Sequence, residues 1–318
     1  MKHARSVAML LVVCAIFALL AGCSSKAVLK IDGKAIPAGY YIYNYCNAYS
    51  QASGMGDSSS YSNTAMQNII RYAVVEKLCK QYGIELQALE RKAVLDNINE
   101  QMAEQGSSAY KTFLSRMQLS KRQFQDLMYN AAKDTKLKDY FYNEEYGTEK
   151  PTDEELYQVF CDNFCCASHI LISTQKATEQ ADYDAALKKI QEIQARVQAG
   201  EDFAALAAEY GEDPGLDPEK GYVFPSGVMV QAFEDAAFAL EPGQVSDIVQ
   251  SSYGYHIIKR NPITMDLFME YRDSFYPQAQ NYFYQKKIAE EAEKLDVQVL
   301  DAMNNLDLRP ALSYIMGY

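Results

Sequence analysis

Only three histidines occur in the 318 residues. Two of them, His169 and His256, fall in otherwise apolar runs, ASHILI and YGYHIIK. Imidazole is the side chain best suited to exchange a proton near neutral pH, so acid–base chemistry here draws on that small pool. Both runs read as buried strands. Imidazoles on neighbouring strands would face each other and could share a proton through a hydrogen bond. A satisfied pair in an ordinary core is the simpler reading of the spacing. A pocket is favoured by the company the pair keeps. Asp213 stands in the loop GEDPG, and Met229 and Phe233 are four residues apart, on one face of an expected helix. An apolar shelf beside buried polar groups suits a small-molecule or side-chain pocket.

The thiols invite a second reading. Seven cysteines are present, and Cys161, Cys165 and Cys166 make a CxxxCC run that lacks a second ligand pair and fits no zinc spacing. They are read, with Cys46 and Cys79, as buried apolar thiols. No metal, nucleotide or other cofactor is expected. The formal charge of −12, from 30 Lys and Arg against 42 Asp and Glu, argues against a nucleic-acid partner, which needs a basic face. With 48% hydrophobic and 23% charged residues the chain is globular, and long enough for two domains.

The elements that must position these residues begin after a leader. Lys2 and Arg5 precede an uncharged run from Val7 to Ala21, too short to span a bilayer but right for a secretory signal. It ends in Leu20-Ala21-Gly22-Cys23, which resembles a bacterial lipobox and implies cleavage before a diacylglycerol-modified Cys23. Two acyl chains suit stable anchoring. Removing residues 1–22 takes away Lys2 and Arg5 and makes the mature chain more acidic by two charges.

Residues 23–162 read as a helical lobe. A hairpin is expected around Asp32-Gly33, then a helix with Met66, Ile69, Ile70, Ala73, Val74 and Leu78 on one face and Gly83 at its end. A second run carries Leu86, Leu89, Ala93, Val94, Ile98 and Met102. Ser120 with Gln123, and Thr152 with Glu155, are capping-box starts. The Ser/Gly-rich stretch Ser50–Ser62 reads as a loop. Tyr40, Tyr41, Tyr43, Tyr45 and Tyr49 read as helix packing first, and as a surface for unfolded chains second.

Residues 163–261 read as a compact α+β unit. Its expected strands are CCASHILIS, Tyr222–Phe224, Val245–Gln250 and Tyr255–Arg260; its helices are Tyr183–Ala199, Asp202–Tyr210 and Met229–Leu240. Residues 262–318 return to helix and are expected to pack back on the first lobe. The fold class is α+β, a small unit inserted between two segments of a helical lobe.

Three stretches of this unit, ASHILI, GEDFAALAAEYGEDPG and GVMVQAFEDAAFALEPGQVSDIVQSSYGYHIIKR, together resemble a parvulin-type peptidyl-prolyl isomerase domain from Cys165 to Arg260. The lobe and lipobox resemble extracytoplasmic foldase lipoproteins of the PrsA type, with a SurA-like chaperone segment. The resemblance implies an active-site pair at His169 and His256, Asp213 facing the substrate amide, and a supporting hydroxyl at Ser251. It implies a prolyl-ring pocket at Met229 and Phe233, with Tyr222 and Phe224 also binding substrate. Many relatives have GGDLG where this chain has Lys220-Gly221-Tyr222-Val223-Phe224. The basic cluster of phosphate-reading parvulins is missing after His169, so phosphorylated substrates are not required.

The implied function is a prolyl isomerase and foldase, without cofactor, at the outer face of the cytoplasmic membrane. Its partners would be unfolded exported proteins with X–Pro bonds, the membrane through Cys23 and, in a homodimer, a second copy of the chain. The alternative is a holdase chaperone with a weak or inactive isomerase unit. A solute-binding lipoprotein shares the lipobox but would need alternating strands and helices, which this layout lacks.

Overall fold

The computed structural model describes residues 26–317; the leader and Cys23 lie outside them. The chain divides into two compact units. One holds the chain up to Lys150 with the segment from Tyr282 on, and the other is Pro151–Asn281.

The first unit opens with β1 (Ala27–Ile31) and β2 (Lys34–Pro37), paired antiparallel. Asp32 and Gly33 take φ of 47° and 74°, the left-handed pair that a tight hairpin turn demands. Then come α1 (Ala38–Gln51), α2 (Ser58–Tyr82), α3 (Ala88–Gln105), α4 (Ser107–Arg116) and α5 (Lys121–Tyr142). Of the stretch expected as a loop, residues 52–57 are one, while its two ends belong to the helices on either side. Asp57 accepts the Ser60 N–H at 2.7 Å and so starts α2 at Ser58. Tyr40, Tyr41 and Tyr45 are buried, and Tyr45 meets Tyr61 edge-on at 5.7 Å, so these tyrosines are core. Leu89, which the periodicity groups with Leu86 and Ile98, is 81% exposed while those two are buried.

The second unit runs α6 (Asp153–Asn163), β3 (Phe164–Ser173), α7 (Gln180–Gln198), α8 (Phe203–Tyr210), β4 (Tyr222–Pro225), α9 (Gln231–Ala239), β5 (Val249–Gln250), β6 (Gly254–Asn261) and the start of α10 (Met265–Ala292). Its strands form one antiparallel sheet in the order β4-β3-β6-β5. β3 reads as a continuous apolar run because both its faces are covered. Ile170 and Ile172 pack with Ile190, Ile193, Phe203 and Leu206, while Cys165 and Ala167 pack with Phe233, Ala237 and Ile258. The unit is wider than residues 163–261. Phe160 of α6 stacks on Phe164 at 4.3 Å and meets Phe268 and Phe275 of α10, while Arg272 donates to Asp153 at 2.7 Å.

Two expected elements shrink. The expected helix from Met229 begins only at Gln231, which leaves Met229 in a loop. Of the expected strand Val245–Gln250, only Val249 and Gln250 are strand, with Val245 making a lone bridge to Lys259. Beyond α10 the chain is not all helix. β7 (Val297–Val299) adds to the free edge of β1, giving the order β2-β1-β7, and α11 (Arg309–Met316) follows a short 3₁₀ turn. Among the described residues no helix is long and apolar enough to cross a membrane.

Candidate active site

β3 and β6 carry the two histidines. His169 pairs with Ile258 and His256 with Leu171, so the imidazoles share one face as diagonal neighbours, within reach of each other's rings. They are 4% and 3% exposed. The ring centroids lie 5.3 Å apart at 85°. The expected shared proton is not found: neither nitrogen of His169 has a hydrogen-bond partner, and His256 Nδ1 has none either. His256 Nε2 instead lies 2.7 Å from Ser251 Oγ, which also accepts the Tyr253 N–H at 3.0 Å.

Phe233, the third residue of α9, completes the back wall. Its ring lies 5.2 Å from His169 and 5.5 Å from His256, both steeply tilted, and Tyr222 lies 6.1 Å from His169 on the other side. β4 comes this close because Gly221, at φ 72°, passes over β3; a Cβ there would sit 2.7 Å from the Ala167 carbonyl. Asp213 closes the rim. Its Oδ1 accepts the Gly215 N–H at 3.0 Å, and its Oδ2 accepts the Tyr222 hydroxyl at 3.2 Å. Oδ2 also lies 3.2 Å from His169 Nε2, an ion-pair distance off the line of a hydrogen bond.

These walls enclose about 490 Å³, with Val228, Val230, Leu171 and Tyr253 adding apolar surface. His169, Asp213, Tyr222, Met229, Phe233 and His256 line it together. Ser251 stands behind His256. Phe224 is 2% exposed and packs beneath Phe233 at 6.0 Å rather than facing the cavity. Val228, Tyr253 and Pro214 also reach the cavity, and nothing in the spacing around them marks them.

Burial pushes the imidazole of His256 down to about 4, helped by His169 and opposed by Asp213. Burial lowers His169 too, against the pull of Asp213. Both rings are therefore neutral at pH 7. His169 Nδ1 and His256 Nδ1 are buried with no hydrogen-bond partner. Orphaned polar atoms of this kind are uncommon in folded proteins and call for an explanation. The two rings line a cavity whose walls also carry Ser173, Gln175, Glu212 and Asp213 beside the apolar side chains.

Among the described residues the cysteines form no cluster that could hold a metal. Cys165 Sγ approaches the Ala237 carbonyl at 3.6 Å, whereas Cys166 Sγ approaches that of Lys220 at 3.4 Å, on opposite faces of β3. Burial pushes the Cys165 thiol up to about 11, which leaves it a poor nucleophile.

Fold and cavity agree with a family match. Residues 169–262 match the rotamase family described as the PPIC-type PPIase domain, so the second unit carries a domain of that class. Among named relatives, a foldase protein PrsA of Geobacillus sp. (strain WCH70) is 44% identical over 115 residues, 35% of this chain and 37% of that protein. A foldase protein PrsA of Caldanaerobacter subterraneus subsp. tengcongensis is 37% identical over 153 residues, 46% of each. The chain thus matches between about a third and a half of these relatives' length. A crystal structure of peptidylprolyl isomerase PrsA from Bacillus cereus aligns over 92% of this chain and 98% of its own at 20% identity and a TM-score of 0.36.

Proposed function

We propose that the second unit is a peptidyl-prolyl cis–trans isomerase and that the whole chain is a foldase for exported proteins. The observation that carries this reading is the pair of neutral imidazoles with unpartnered nitrogens above an apolar seat of Phe233 and Met229. An X–Pro bond isomerises slowly, over tens to hundreds of seconds, because its partial double bond must be twisted. No covalent bond breaks. A proline ring held against Phe233 and Met229 fixes one side of that bond. Twisting removes amide resonance and redistributes charge between nitrogen and carbonyl oxygen. Polar groups that fit the twisted form better than the planar one then lower the barrier. In this scheme Asp213 tunes the electrostatics at the carbonyl, Tyr222 holds Asp213, and His169 and His256, backed by Ser251, set the polarity of the wall.

The chaperone role is assigned to residues 23–150 with 282–318, with Pro151–Asn281 inserted as the catalytic part. Unfolded exported chains containing X–Pro bonds are the proposed clients. The lipobox-like Leu20–Cys23 run supports tethering through a lipid on Cys23 at the outer face of the cytoplasmic membrane. A homodimer belongs to the same proposal, and nucleic acid has no place in it. The test is cis/trans relaxation of a proline peptide with wild type and His256→Ala. Catalysis by wild type and its loss in the variant are expected; equal rates overturn the assignment.

A further inference from the structure

The buried carboxylate of Glu234 follows Phe233 directly in α9 and is 5% exposed. Among the described residues it faces no cation. Its company is instead a set of donors from the loop that precedes the helix. Oε1 accepts the Ser226 hydroxyl and the Gly227 N–H, each at 2.8 Å. Oε2 accepts the N–H groups of Gly227 at 2.9 Å and of Val228 and Met229 at 3.2 Å each. Three successive backbone N–H groups converge on one anion only if the chain curls around it, and Gly227, at φ 87°, supplies the curl. The carboxylate thereby satisfies N–H groups ahead of the helix that no helical carbonyl could take. Val230 is extended, at φ −61° and ψ 135°, so the helix begins at Gln231 and Met229 stays in the loop although the sequence spacing assigns it to the helix.

We infer that Glu234 is a positioning residue for the prolyl seat: its carboxylate fixes the loop carrying Val228 and Met229 against the helix carrying Phe233. It does not touch the cavity, whose lining includes its neighbours Val228, Met229 and Phe233. The inference rests on the isomerase reading above and adds the device that holds two parts of one wall in register. Those four donors hold the carboxyl below its ordinary range, the Gly227 N–H most of all, so it stays ionised through the mildly acidic range.

Because Met229 would grip the ring in the planar and twisted states alike, loosening it removes binding common to both. The expected signature is a higher KM with little change in kcat. The experiment is peptide isomerisation by the full chain, with peptide concentration varied, for wild type, Glu234→Gln and Gly227→Ala. A KM about tenfold higher with kcat within about twofold is expected for both variants, with Glu234→Asp recovering part of the loss. Folded variants with unchanged KM overturn the inference. If Glu234→Gln does not fold, Gly227→Ala decides by the same criterion. An inactive wild type overturns the isomerase reading instead. In that case the Met229 methyl resonance carries the test: it should shift in Glu234→Gln, or in Gly227→Ala where only that variant folds, while that of Met303 stays, and an unmoved Met229 signal overturns the inference.

Discussion

Two clusters of polar side chains, one in each unit, are built in opposite ways. In the first unit Asp134 accepts two hydrogen bonds from the Arg71 guanidinium, at 2.7 and 3.1 Å, and another from the Tyr284 hydroxyl. Beside it Glu76 accepts from Lys133 at 2.8 Å and from Asn130 at 3.2 Å. Charge meets charge, and the lone pairs are used. In the second unit two more deeply buried imidazoles keep their Nδ1 atoms unpaired beside a cavity. A satisfied network fastens helices together, whereas an unsatisfied pair is held ready for something that binds. Tyr110 also buries a hydroxyl without a partner, but it stands against Phe124 with no second such group beside it.

The contrast can be broken most sharply at the histidines. His169→Ala and His256→Ala should each lower kcat/KM for a proline peptide by between about a hundredfold and a thousandfold, read by relaxation kinetics, with the circular dichroism unchanged. The next effect concerns pH. The folded His256 takes a proton only near pH 4, whereas the unfolded imidazole takes one near 6.5. Below about 6.5 the unfolded chain therefore binds more protons, and stability falls as pH drops toward 4; above 6.5 this contribution is flat. The loss from His256 is on the order of 3 kcal/mol, measurable as the difference between wild type and His256→Gln in denaturant titrations at pH 7 and 4.5.

In the first unit the expectation reverses. Arg71→Ala should lower stability by about 2 kcal/mol, since it strips Asp134 of its cation, while isomerase kinetics stay at the wild-type rate. A loss of activity there would erase the distinction between the clusters. Ser251→Ala should have the smallest effect, a kcat/KM decrease of about threefold, because one hydrogen bond to His256 goes and the ring remains packed against Phe233.

What the sequence made legible was local. The turn at Asp32-Gly33 and the capping boxes at Ser120 and Thr152 are decided within four residues, and the structure has each where the spacing predicts it. The histidine pair was legible because two polar residues interrupt strands that are otherwise apolar. What escaped was decided at a distance or by too few residues. β7 is three residues long and makes its pairing with β1, far back in the chain, so it carries no periodicity to read. Met229 lies outside the helix because Val230 is extended, and the bonds from its loop to Glu234 look in the sequence like an ordinary acidic first turn. The diagonal placement of the two imidazoles follows from the register of β3 and β6, which no spacing within either strand specifies.

The scarcity of histidine makes the central claim directly measurable. A chain beginning at Cys23 contains only His169 and His256, so its histidine 15N spectrum holds two rings. At pH 7 both should show the neutral form, and adding an X–Pro peptide should shift both, while a peptide with glycine in place of proline should shift neither. Rings that are protonated at pH 7, or that stay unmoved as the proline peptide saturates, would contradict a neutral pair that forms the wall of a prolyl pocket.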